Sequence, residues 1–322
     1  MFGIVAGKLA AGMTLALAAL GAQAEAAYPS RPITIVVTFQ AGGLLDAHMR
    51  GTARLAEKEL GQSVVIDNRP GGMSMIGARA VANAAPDGYT LLQASQNLLR
   101  VPYLMKGKID PVGDFTYVIG LADAEHVVAV PAGSPWHSLK DMIDAARARP
   151  GTVSYGTTGM GGTPHLAMTE LTRQAGVRMV HVPFKGAPDA TVSLLNTGGI
   201  DAACLPYSEV AKLDGKARIL SVLSAQRMKL DPGVPTAIEA GYQVTAPSYI
   251  GIVGPKGMDP AVVERVQSAF RKVMQSTEYD ALTTRLGMYA LYRSAADYRQ
   301  WAQARTLVEK QLVQTAGLSV TE

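Results

Sequence analysis

Three short segments hold the residues that could bind a ligand through backbone groups. In chain order they are residues 39–46 (FQAGGLLD), 94–97 (ASQN) and 156–163 (GTTGMGGT). Glycines let backbone N–H groups approach a ligand closely, and the start of a helix adds unpaired N–H donors and roughly half a positive charge. Since each segment opens a predicted helix or lies near one, together they favour a site for a small anion such as a carboxylate. The alternative for any single segment is that its glycines only shape a turn.

The third of these segments also invites comparison with nucleotide-binding motifs. A phosphate-binding loop needs a lysine where this chain has Gly162, and the dinucleotide-binding pattern needs a glycine where it has Pro164. Neither motif is complete, so the sequence argues against a nucleotide cofactor.

Residues for catalysis or metal binding are not grouped along the chain. The sequence lacks the Gly-x-Ser-x-Gly and His-Glu-x-x-His motifs, and nothing in the spacing supports a triad of Ser95, His165 and Asp46. The five histidines are scattered, so we predict no metal site. Cys204, the single cysteine, lies in an apolar run and is expected to be a buried apolar residue. We therefore predict a protein that is not an enzyme and has no cofactor, with a secreted hydrolase as the remote alternative.

The first 27 residues are typical of a secretory signal peptide. A start whose only charge is Lys8 is followed by the uncharged apolar run 9–20 and by small residues at Ala22 and Ala24. The apolar run is shorter than the roughly 20 residues that a membrane-spanning helix needs. We predict cleavage after about residue 24 to 27 and export from the cytoplasm. An uncleaved membrane anchor is the alternative.

Size and charge narrow the class of partner. After the predicted cleavage about 295 residues remain, which is more than one hydrophobic core usually serves, so two lobes are expected. The net charge is +4, and the basic residues are dispersed without an arginine-rich helix. This pattern argues against nucleic acid as a partner. A mildly positive protein does suit the attraction of an anionic solute.

The residues that follow the leader alternate between strand and helix patterns. β-Branched runs predict strands at 33–39, 63–67 and 90–93, and apolar residues at helical spacing predict helices at 46–60 and 76–84. Such βαβαβ alternation predicts an α/β fold with a mostly parallel sheet covered by helices on both faces. The glycine-rich segments then fall where parallel strands end, which is where α/β sheets bind ligands.

A second α/β block follows, and the chain ends in three predicted helices. These helices, at 260–275, 277–286 and 295–316, have few strands of their own, so we expect them to pack on the first sheet. The prediction is one lobe from residues 28–125 plus 246–322 and a second lobe from residues 126–245. The chain would then cross between the lobes twice, which forms a hinge.

A series of motifs distributed over the mature chain carries a resemblance to a known family. In chain order they are YPSRPI (28–33), FxxGGxxD (39–46), NRPG (68–71), PDGYTLL (86–92), PG (150–151), YG (155–156), HVPFKG (181–186), PxVPT (232–236) and EAG (239–241). With this series the chain resembles the Bug-type extracytoplasmic solute receptors of tripartite tricarboxylate transporters. The resemblance extends from residue 28 to about residue 318, which is essentially the whole mature chain.

The resemblance implies a fold and a function. The fold is the type II periplasmic binding fold, in which two α/β lobes joined by a two-crossing hinge close on a solute like a hinged trap. The function is that of a periplasmic receptor, which binds a small carboxylate and delivers it to the membrane subunits of a transporter. The oligomeric state is left open by the sequence, with a monomer as the default. The alternative is a sensor that presents the same ligand to a membrane signalling protein.

The resemblance also implies which residues bind the ligand. In such receptors the loop after the first strand and a loop of the second lobe hold one carboxylate through backbone N–H groups and hydroxyls. The ligand-binding residues are then expected to be Phe39, Gln40, Gly42, Gly43, Leu45, Asp46, Met75, Ser95, Thr157, Thr158, Gly159, Met160, His165, Pro206 and Ser248. Within this set, Asp46 is expected chiefly to cap the first helix and His165 to make a structural hydrogen bond.

Departures from the family pattern suggest the character of the ligand. Apolar residues stand at Leu45, Met73, Met75 and Met160, where the family usually has small or polar ones. Leu205-Pro206 replaces an acidic residue and an asparagine that are common in the family, which argues against an amino-acid ligand. We therefore expect a carboxylate with an aromatic or apolar body, since methionine adapts to irregular ligands. The alternative is that these side chains face the cores of the lobes.

Overall fold

The computed structural model describes residues 28–105 and 109–318. The predicted signal peptide at residues 1–27 lies outside the described residues. Within them, the structure contains no helix with the length and apolar character needed to cross a membrane.

The strands of the described residues form two sheets. In chain order they are β1 (Ile33–Val37), β2 (Val64–Asn68), β3 (Thr90–Ser95), β4 (Phe115–Ala124), β5 (His126–Pro131), β6 (Ser154–Thr157), β7 (Val180–Pro183), β8 (Ala202–Pro206), β9 (Ala217–Val222), β10 (Ser248–Pro255) and β11 (Met288–Arg293). The first sheet has the order β11-β4-β10-β3-β1-β2, and the second has the order β7-β6-β8-β5-β9.

Helices connect most of these strands. In chain order they are α1 (Leu44–Leu60), α2 (Met75–Ala82), α3 (Gln96–Leu104), α4 (Leu139–Ala148), α5 (Thr163–Ala175), α6 (Ala187–Leu195), α7 (Tyr207–Ala211), α8 (Pro260–Met274), α9 (Thr277–Arg285) and α10 (Ala295–Thr315). A single 3₁₀ turn, Gly72–Ser74, precedes α2.

Both sheets are mixed, with three parallel strands on one side and antiparallel pairings on the other. β2, β1 and β3 pair in parallel in the first sheet, and β7, β6 and β8 do so in the second. β10 runs antiparallel to both β3 and β4, and β5 runs antiparallel to both β8 and β9. The predicted α/β fold is therefore confirmed, and two of the antiparallel strands, β5 and β10, begin just after the chain has passed from one sheet to the other.

The first sheet is covered by helices on both faces. α1, α8 and α9 supply Met49, Phe270 and Tyr279 to the core on one face. α2, α3 and α10 supply Val81, Leu99 and Tyr298 to the core on the other face. The three C-terminal helices thus pack on the first sheet, as the sequence predicts, because each has one apolar side that needs a sheet to cover it.

Two further cores flank the second sheet. One contains Met142 and Met168 from α4 and α5, together with Cys204, which is fully buried. The other lies under α6 and contains Leu194. The predicted burial of Cys204 is confirmed, and the same burial raises the pKa of its thiol.

The start of α4 shows how local sequence sets these elements. Ser138 lies immediately before the helix, and its Oγ accepts a hydrogen bond from the backbone N–H of Asp141 at 3.1 Å. The Asp141 carboxylate in turn accepts one from the backbone N–H of Ser138 at 2.9 Å. This reciprocal capping box satisfies two N–H groups that the helix cannot pair internally.

Three elements were not predicted from the sequence: α3, the five-residue helix α7 and β11. α3 begins at Gln96 and continues through Pro102, a residue that normally ends a helical pattern. β11 pairs antiparallel with the edge of β4, and its residues are mostly exposed, so they lack the apolar run of a central strand.

Candidate functional site

The loops predicted to bind a ligand on the first sheet lie at one edge. β1 and β3 are parallel neighbours with Val37 opposite Gln93, so the loop after β1 and the start of α3 leave the sheet side by side. Ser248, the first residue of β10, lies opposite Ala124 at the same edge. The polypeptide therefore brings segments 39–46 and 94–97 together with Ser248.

The second sheet has an equivalent edge. β6 and β8 are parallel, and the loop that follows Thr157 leaves the sheet near Pro206, where β8 ends. Pro206 lies opposite His126, the first residue of β5. Segment 156–163 and Pro206 thus share this edge with the start of β5.

Two crossings of the chain join these edges. β4 ends at Ala124 in the first sheet and β5 begins at His126 in the second; the return crossing lies between β9 and β10. His126 ties the crossings together, since its Nδ1 lies 3.0 Å from the carbonyl oxygen of Ala246. We call residues 28–124 and 248–318 the first-sheet half, and residues 126–246 the second-sheet half.

Buried acids surround the crossings. Asp123 accepts hydrogen bonds from the backbone N–H of Ser248 at 2.6 Å and from the Tyr289 hydroxyl at 3.1 Å. Burial raises the pKa of Asp123 to about 6, although these hydrogen bonds oppose the rise. Burial and the nearby Asp123 charge raise the pKa of Glu125 to about 7. At Asp123 the loss of solvation therefore raises the pKa by more than the hydrogen bonds lower it.

The loop after β1 is shaped by one carboxylate. Asp46 Oδ2 accepts the backbone N–H of Gly42 at 2.8 Å, and Asp46 Oδ1 accepts Nδ2 of Asn68 at 2.8 Å. Arg50 Nε lies 3.0 Å from both carboxylate oxygens. Burial opposes ionisation, but these bonds outweigh it and hold the pKa of Asp46 below its ordinary value. Asp46 is therefore occupied in holding the loop.

The other residues of the loop after β1 are either exposed to solvent or partly buried against the core. Gln40, Gly42 and Gly43 are exposed, but the N–H groups of the two glycines are already paired, so the Gln40 side chain is the polar group available at the edge. Gly42 has φ +82°, a left-handed conformation that favours glycine. Phe39 and Leu45 are partly buried and pack against the core under α1.

Unpartnered polar atoms mark the end of β3. Among the described residues, Gln93 Oε1, Ser95 Oγ and Gln96 Oε1 are buried without a hydrogen-bond partner. Ser208 Oγ, near the end of β8 in the second-sheet half, is in the same condition. A buried polar atom without a partner costs about 1–3 kcal/mol, so a polar solute that bonded to Ser95 would remove part of that cost.

The loop after β6 is shaped by two stacked imidazoles. Thr157 Oγ1 lies 2.7 Å from Nε2 of His181 and donates to the carbonyl oxygen of Gly159 at 3.1 Å. The backbone N–H of Gly161 donates to Nδ1 of His165 at 3.0 Å. The rings of His165 and His181 stack with centroids 3.9 Å apart. Thr157 and His165 are thus occupied in shaping the loop.

Both imidazoles are neutral at ordinary pH. Burial, and then the charge of His181, lower the pKa of His165 to about 4. Burial also lowers the pKa of His181. Thr158 and Gly159 are half-buried and Met160 is 54% exposed, so these residues face outward from the stacked pair.

The apolar residues of the pocket hypothesis lie in different environments. Met75 is 7% exposed and packs in the core with Val81, so it supports the fold at this point instead of lining an open pocket. Met73 is partly buried and has φ +51°, a strained conformation for methionine. A Cβ atom on Gly161 would lie 3.2 Å from Cε of Met73, so this side chain reaches the second-sheet half.

A buried arginine connects the two halves. Arg100 on α3 is 1% exposed, and its Nε lies 2.6 Å from Oε2 of Glu309 on α10. Its Nη1 donates to the Gly161 carbonyl oxygen at 3.1 Å and to Thr163 Oγ1 at 3.3 Å. Arg305 and Gln96 also bond to Glu309. The loop after β6 is therefore fastened to the first-sheet half.

The sequence analysis missed the arginine, its partner and His181. Arg100 and Glu309 are separated by 209 residues, and neither belongs to a motif. The available signal was charge on the apolar side of α3, where Leu99 and Val101 are buried on either side of Arg100. A charged residue inside an apolar run is expected to be paired.

The structure offers no obvious place for a metal. Among residues 28–105 and 109–318, no group of three or more His, Cys, Asp or Glu side chains has the arrangement needed to hold an ion.

Comparison with known proteins identifies the class. Residues 49–318 match the model of the family described as "Tripartite tricarboxylate transporter family receptor", called TctC. The chain belongs to this family, so it is a solute-binding receptor and not an enzyme. The predicted resemblance to Bug-type receptors is confirmed.

Individual relatives span almost the whole chain. A protein of Cupriavidus necator described as "UPF0065 protein in gbd 5'region" is 37% identical over 315 residues, which cover 98% of this chain and 96% of that protein. The solved structure of Rpa4515 from R. palustris with adipate has a TM-score of 0.83 at 28% identity, covering 91% of this chain and 99% of that one. MatC from Rhodopseudomonas palustris with bound malate has a TM-score of 0.79 at 26% identity, covering 89% and 100%.

Proposed function

We propose that this protein is a periplasmic receptor that captures a small carboxylate between two lobes and delivers it to the membrane subunits of a tripartite tricarboxylate-type transporter. The observation that carries the proposal is that each sheet ends in a glycine-rich loop at the edge where the two chain crossings join the sheets. The unpartnered hydroxyl of Ser95 at one of these edges supports it.

The lobes are proposed to be residues 28–125 plus 246–322 and residues 126–245. The exchange of sheets between Ala124 and His126 supports this division. A solute that contacts both loops would stabilise the closed arrangement by its preference for closed over open. The protein is proposed to act as a monomer after removal of residues 1–27.

The ligand-binding groups are proposed to be those that the fold leaves available at the two edges. They are the backbone N–H group of Gly159, the Thr158 and Ser95 hydroxyls, and the Gln40 side chain, while the Gly43 N–H donates to the Gln40 carbonyl oxygen and helps to shape the loop. Phe39, Gly42, Asp46, Thr157 and His165 are proposed to hold these groups in place. Pro206 and Ser248, both half-buried, are proposed to close the site at the crossings.

The ligand is proposed to be a carboxylate with an aromatic or apolar body. Leu45, Met73 and Met160 support this proposal, since each retains some exposure near the loops. The neighbours named with adipate and malate bind dicarboxylates, and adipate has the longer apolar chain. A sensor that presents the same ligand to a signalling protein is the second candidate, because it would use the same site.

A thermal-shift screen with aliphatic dicarboxylates, acidic amino acids and aromatic acids tests the proposal, with calorimetry on each hit. The protein should be purified from the periplasm of an expressing bacterium, where mass spectrometry would locate the cleavage site. Ligand at about a hundred times its Kd stabilises a protein by roughly 2.7 kcal/mol. Ser95→Ala should weaken a hit by at least tenfold, whereas Ser63→Ala, at an exposed serine, should not.

The possible results separate the parts of the proposal. A hit with an aromatic or long-chain acid supports both the receptor and the apolar pocket. Hits restricted to malate-like acids support the receptor function and contradict the apolar pocket. Aspartate or glutamate as the tightest ligand would have the same two consequences. If no carboxylate binds, the ligand class is wrong.

A further inference from the structure

A cavity between the two halves lies apart from the predicted ligand-binding residues. Its volume is about 300 Å³, and it is lined by α5 of the second-sheet half, by α10 of the first-sheet half and by residues 243–245. None of the fifteen residues predicted to bind the ligand lines it. Arg100 and Thr163, which form the hydrogen bond between α3 and the loop after β6, also line the cavity.

The cavity wall carries an excess of positive charge. Arg100 and Arg305 both pair with the carboxylate of Glu309, which is 0% exposed. Two guanidinium groups therefore share one negative charge. Arg173 and Glu170 also line the cavity, but they pair with each other and contribute no net charge.

The two guanidinium groups still have N–H donors to offer. Within the described residues, the hydrogen bonds of Arg100 use Nε and Nη1, and those of Arg305 use only Nε. Nη2 of Arg100 and both Nη atoms of Arg305 thus have no partner among these residues. The Arg100 side chain is 1% exposed and lines the cavity, so the cavity is where its remaining donor can meet a ligand.

The remaining lining combines hydroxyl and apolar groups. Thr245 and Thr315 contribute hydroxyls, and Val308 and Leu312 contribute apolar surface. Concave, partly apolar pockets with a few convergent polar groups are the usual form of small-molecule sites. A guanidinium fork matches the two oxygens of a carboxylate.

We propose that this cavity is a second anion site, which takes a compact carboxylate with one charged head and a short apolar body. The head pairs with Arg305 and the free Nη2 of Arg100, and the body lies against Leu312. This proposal does not depend on the identity of the solute held by the glycine-rich loops.

An anion bound in the cavity is expected to change the affinity of the site at the glycine-rich loops. Its walls come from both halves, so its affinity for an anion depends on how the halves are arranged. Arg100 also holds the Gly161 carbonyl of the loop after β6. By thermodynamic reciprocity, an anion that favours the closed arrangement at one site favours binding at the other.

Two variants test the cavity by different means. Arg305→Gln removes the excess charge and leaves Arg100 paired with Glu309. Leu312→Trp fills the cavity without changing any charge. Leu307→Trp is the matched control, because Leu307 is on the same helix and 69% exposed, and it does not line the cavity.

The measurement is calorimetric titration with butyrate, benzoate, succinate and inorganic phosphate. In the wild type, butyrate or benzoate should give a binding event that Ser95→Ala leaves intact. Arg305→Gln and Leu312→Trp should each weaken that event at least tenfold, and Leu307→Trp should not. Phosphate should compete if the head group alone determines binding, and should fail to compete if the apolar body is needed.

Other outcomes overturn the proposal. It is wrong if every binding event is lost in Ser95→Ala, or if Leu312→Trp and Arg305→Gln leave all events unchanged, or if none of the four probes binds. If the cavity variants abolish the sole event and Ser95→Ala does not, the cavity site stands and the glycine-rich loops lose their role. That last result contradicts the proposed function alone.

Discussion

The two glycine-rich loops have similar sequences of small residues but are held by different chemistry. The loop after β1 is organised within its own half by the Asp46 carboxylate, with Arg50 and Asn68 as its partners. The loop after β6 is organised by neutral His165 and by Arg100 of the opposite half. The first loop is therefore held entirely within the first-sheet half, whereas the second depends on how the halves are arranged.

The largest effect is expected from the group that joins the halves. Arg100→Leu leaves Glu309 buried with Arg305 as its remaining ion-pair partner and removes the bond to the Gly161 carbonyl. Removing one partner of a buried ion pair costs about 3–5 kcal/mol. Urea unfolding would measure this loss.

A double variant serves as the control for that measurement. Arg100→Met combined with Glu309→Leu removes both charges, so it should recover much of the stability lost in the single variant. A loss below about 1 kcal/mol in Arg100→Leu would contradict the claim that the second loop depends on the first-sheet half.

A smaller effect is expected from the anchor of the first loop. Asp46→Asn should destabilise the protein by about 2 kcal/mol, because hydrogen bonds to a charged group contribute roughly 1.5–3 kcal/mol. Asp67→Asn is the matched control, since Asp67 forms a more exposed pair with Arg69 and should cost less than about 1 kcal/mol. Equal losses in the two variants would mean that Asp46 does not organise the loop.

Acidification should loosen the second loop before the first. His165 has a pKa lowered to about 4, so the unfolded chain binds more protons between pH 6.5 and 4, and stability falls as the pH falls through that window. The pKa of Asp46 lies below its ordinary 3.8, so its contribution is lost only at lower pH. His165→Gln should therefore flatten the pH dependence of the unfolding free energy between pH 6.5 and 4 by on the order of 1 kcal/mol.

The control for the pH measurement is an exposed histidine. His137→Gln makes the same substitution at an exposed position, and the slope of His165→Gln is compared with it. His48 and His126 also have pKa values lowered to about 4. Both variants should therefore keep the part of the pH dependence of the unfolding free energy that these two histidines contribute. If His165→Gln had the same slope as the wild type, the imidazole would not be the anchor of the second loop.

The smallest effect concerns backbone conformation in the first loop. Gly42→Ala should cost about 1 kcal/mol, because φ +82° is unfavourable for a residue with a Cβ even though nothing lies within 4 Å of that atom. Gly133→Ala is the control, since it meets equally open space without a positive φ. Thermal unfolding of the two variants would separate the conformational cost from any steric one.

The parts of the fold that depend on local pattern could be predicted from the sequence. Strand and helix alternation predicts the βαβαβ start of the first sheet, and the apolar faces of the last helices predict where they pack. The loops at 39–46 and 156–163 were also recognisable, because their glycines are visible in the sequence and glycine is the residue that most readily adopts a positive φ. The pairing of edges by the crossings follows from the order of the strands.

The parts that depend on distant partners could not be predicted. The stacking of His165 on His181 and the pairing of Arg100 with Glu309 join residues whose proximity is set only by tertiary packing. Met75 illustrates the same limit, because its methionine side chain suits either a pocket or a core, and only the packing of α2 places it in the core. Pro102 within α3 concealed the helix that carries Arg100.

The complete burial of Cys204 has a practical consequence for studying the protein. With its one native thiol shielded, a cysteine introduced at an exposed position such as Met160 would react selectively with a maleimide dye. A fluorophore there would lie on the loop after β6, which the proposed opening of the lobes would move away from the first-sheet half. Changes in its emission would turn the receptor into an optical reporter of its own solute.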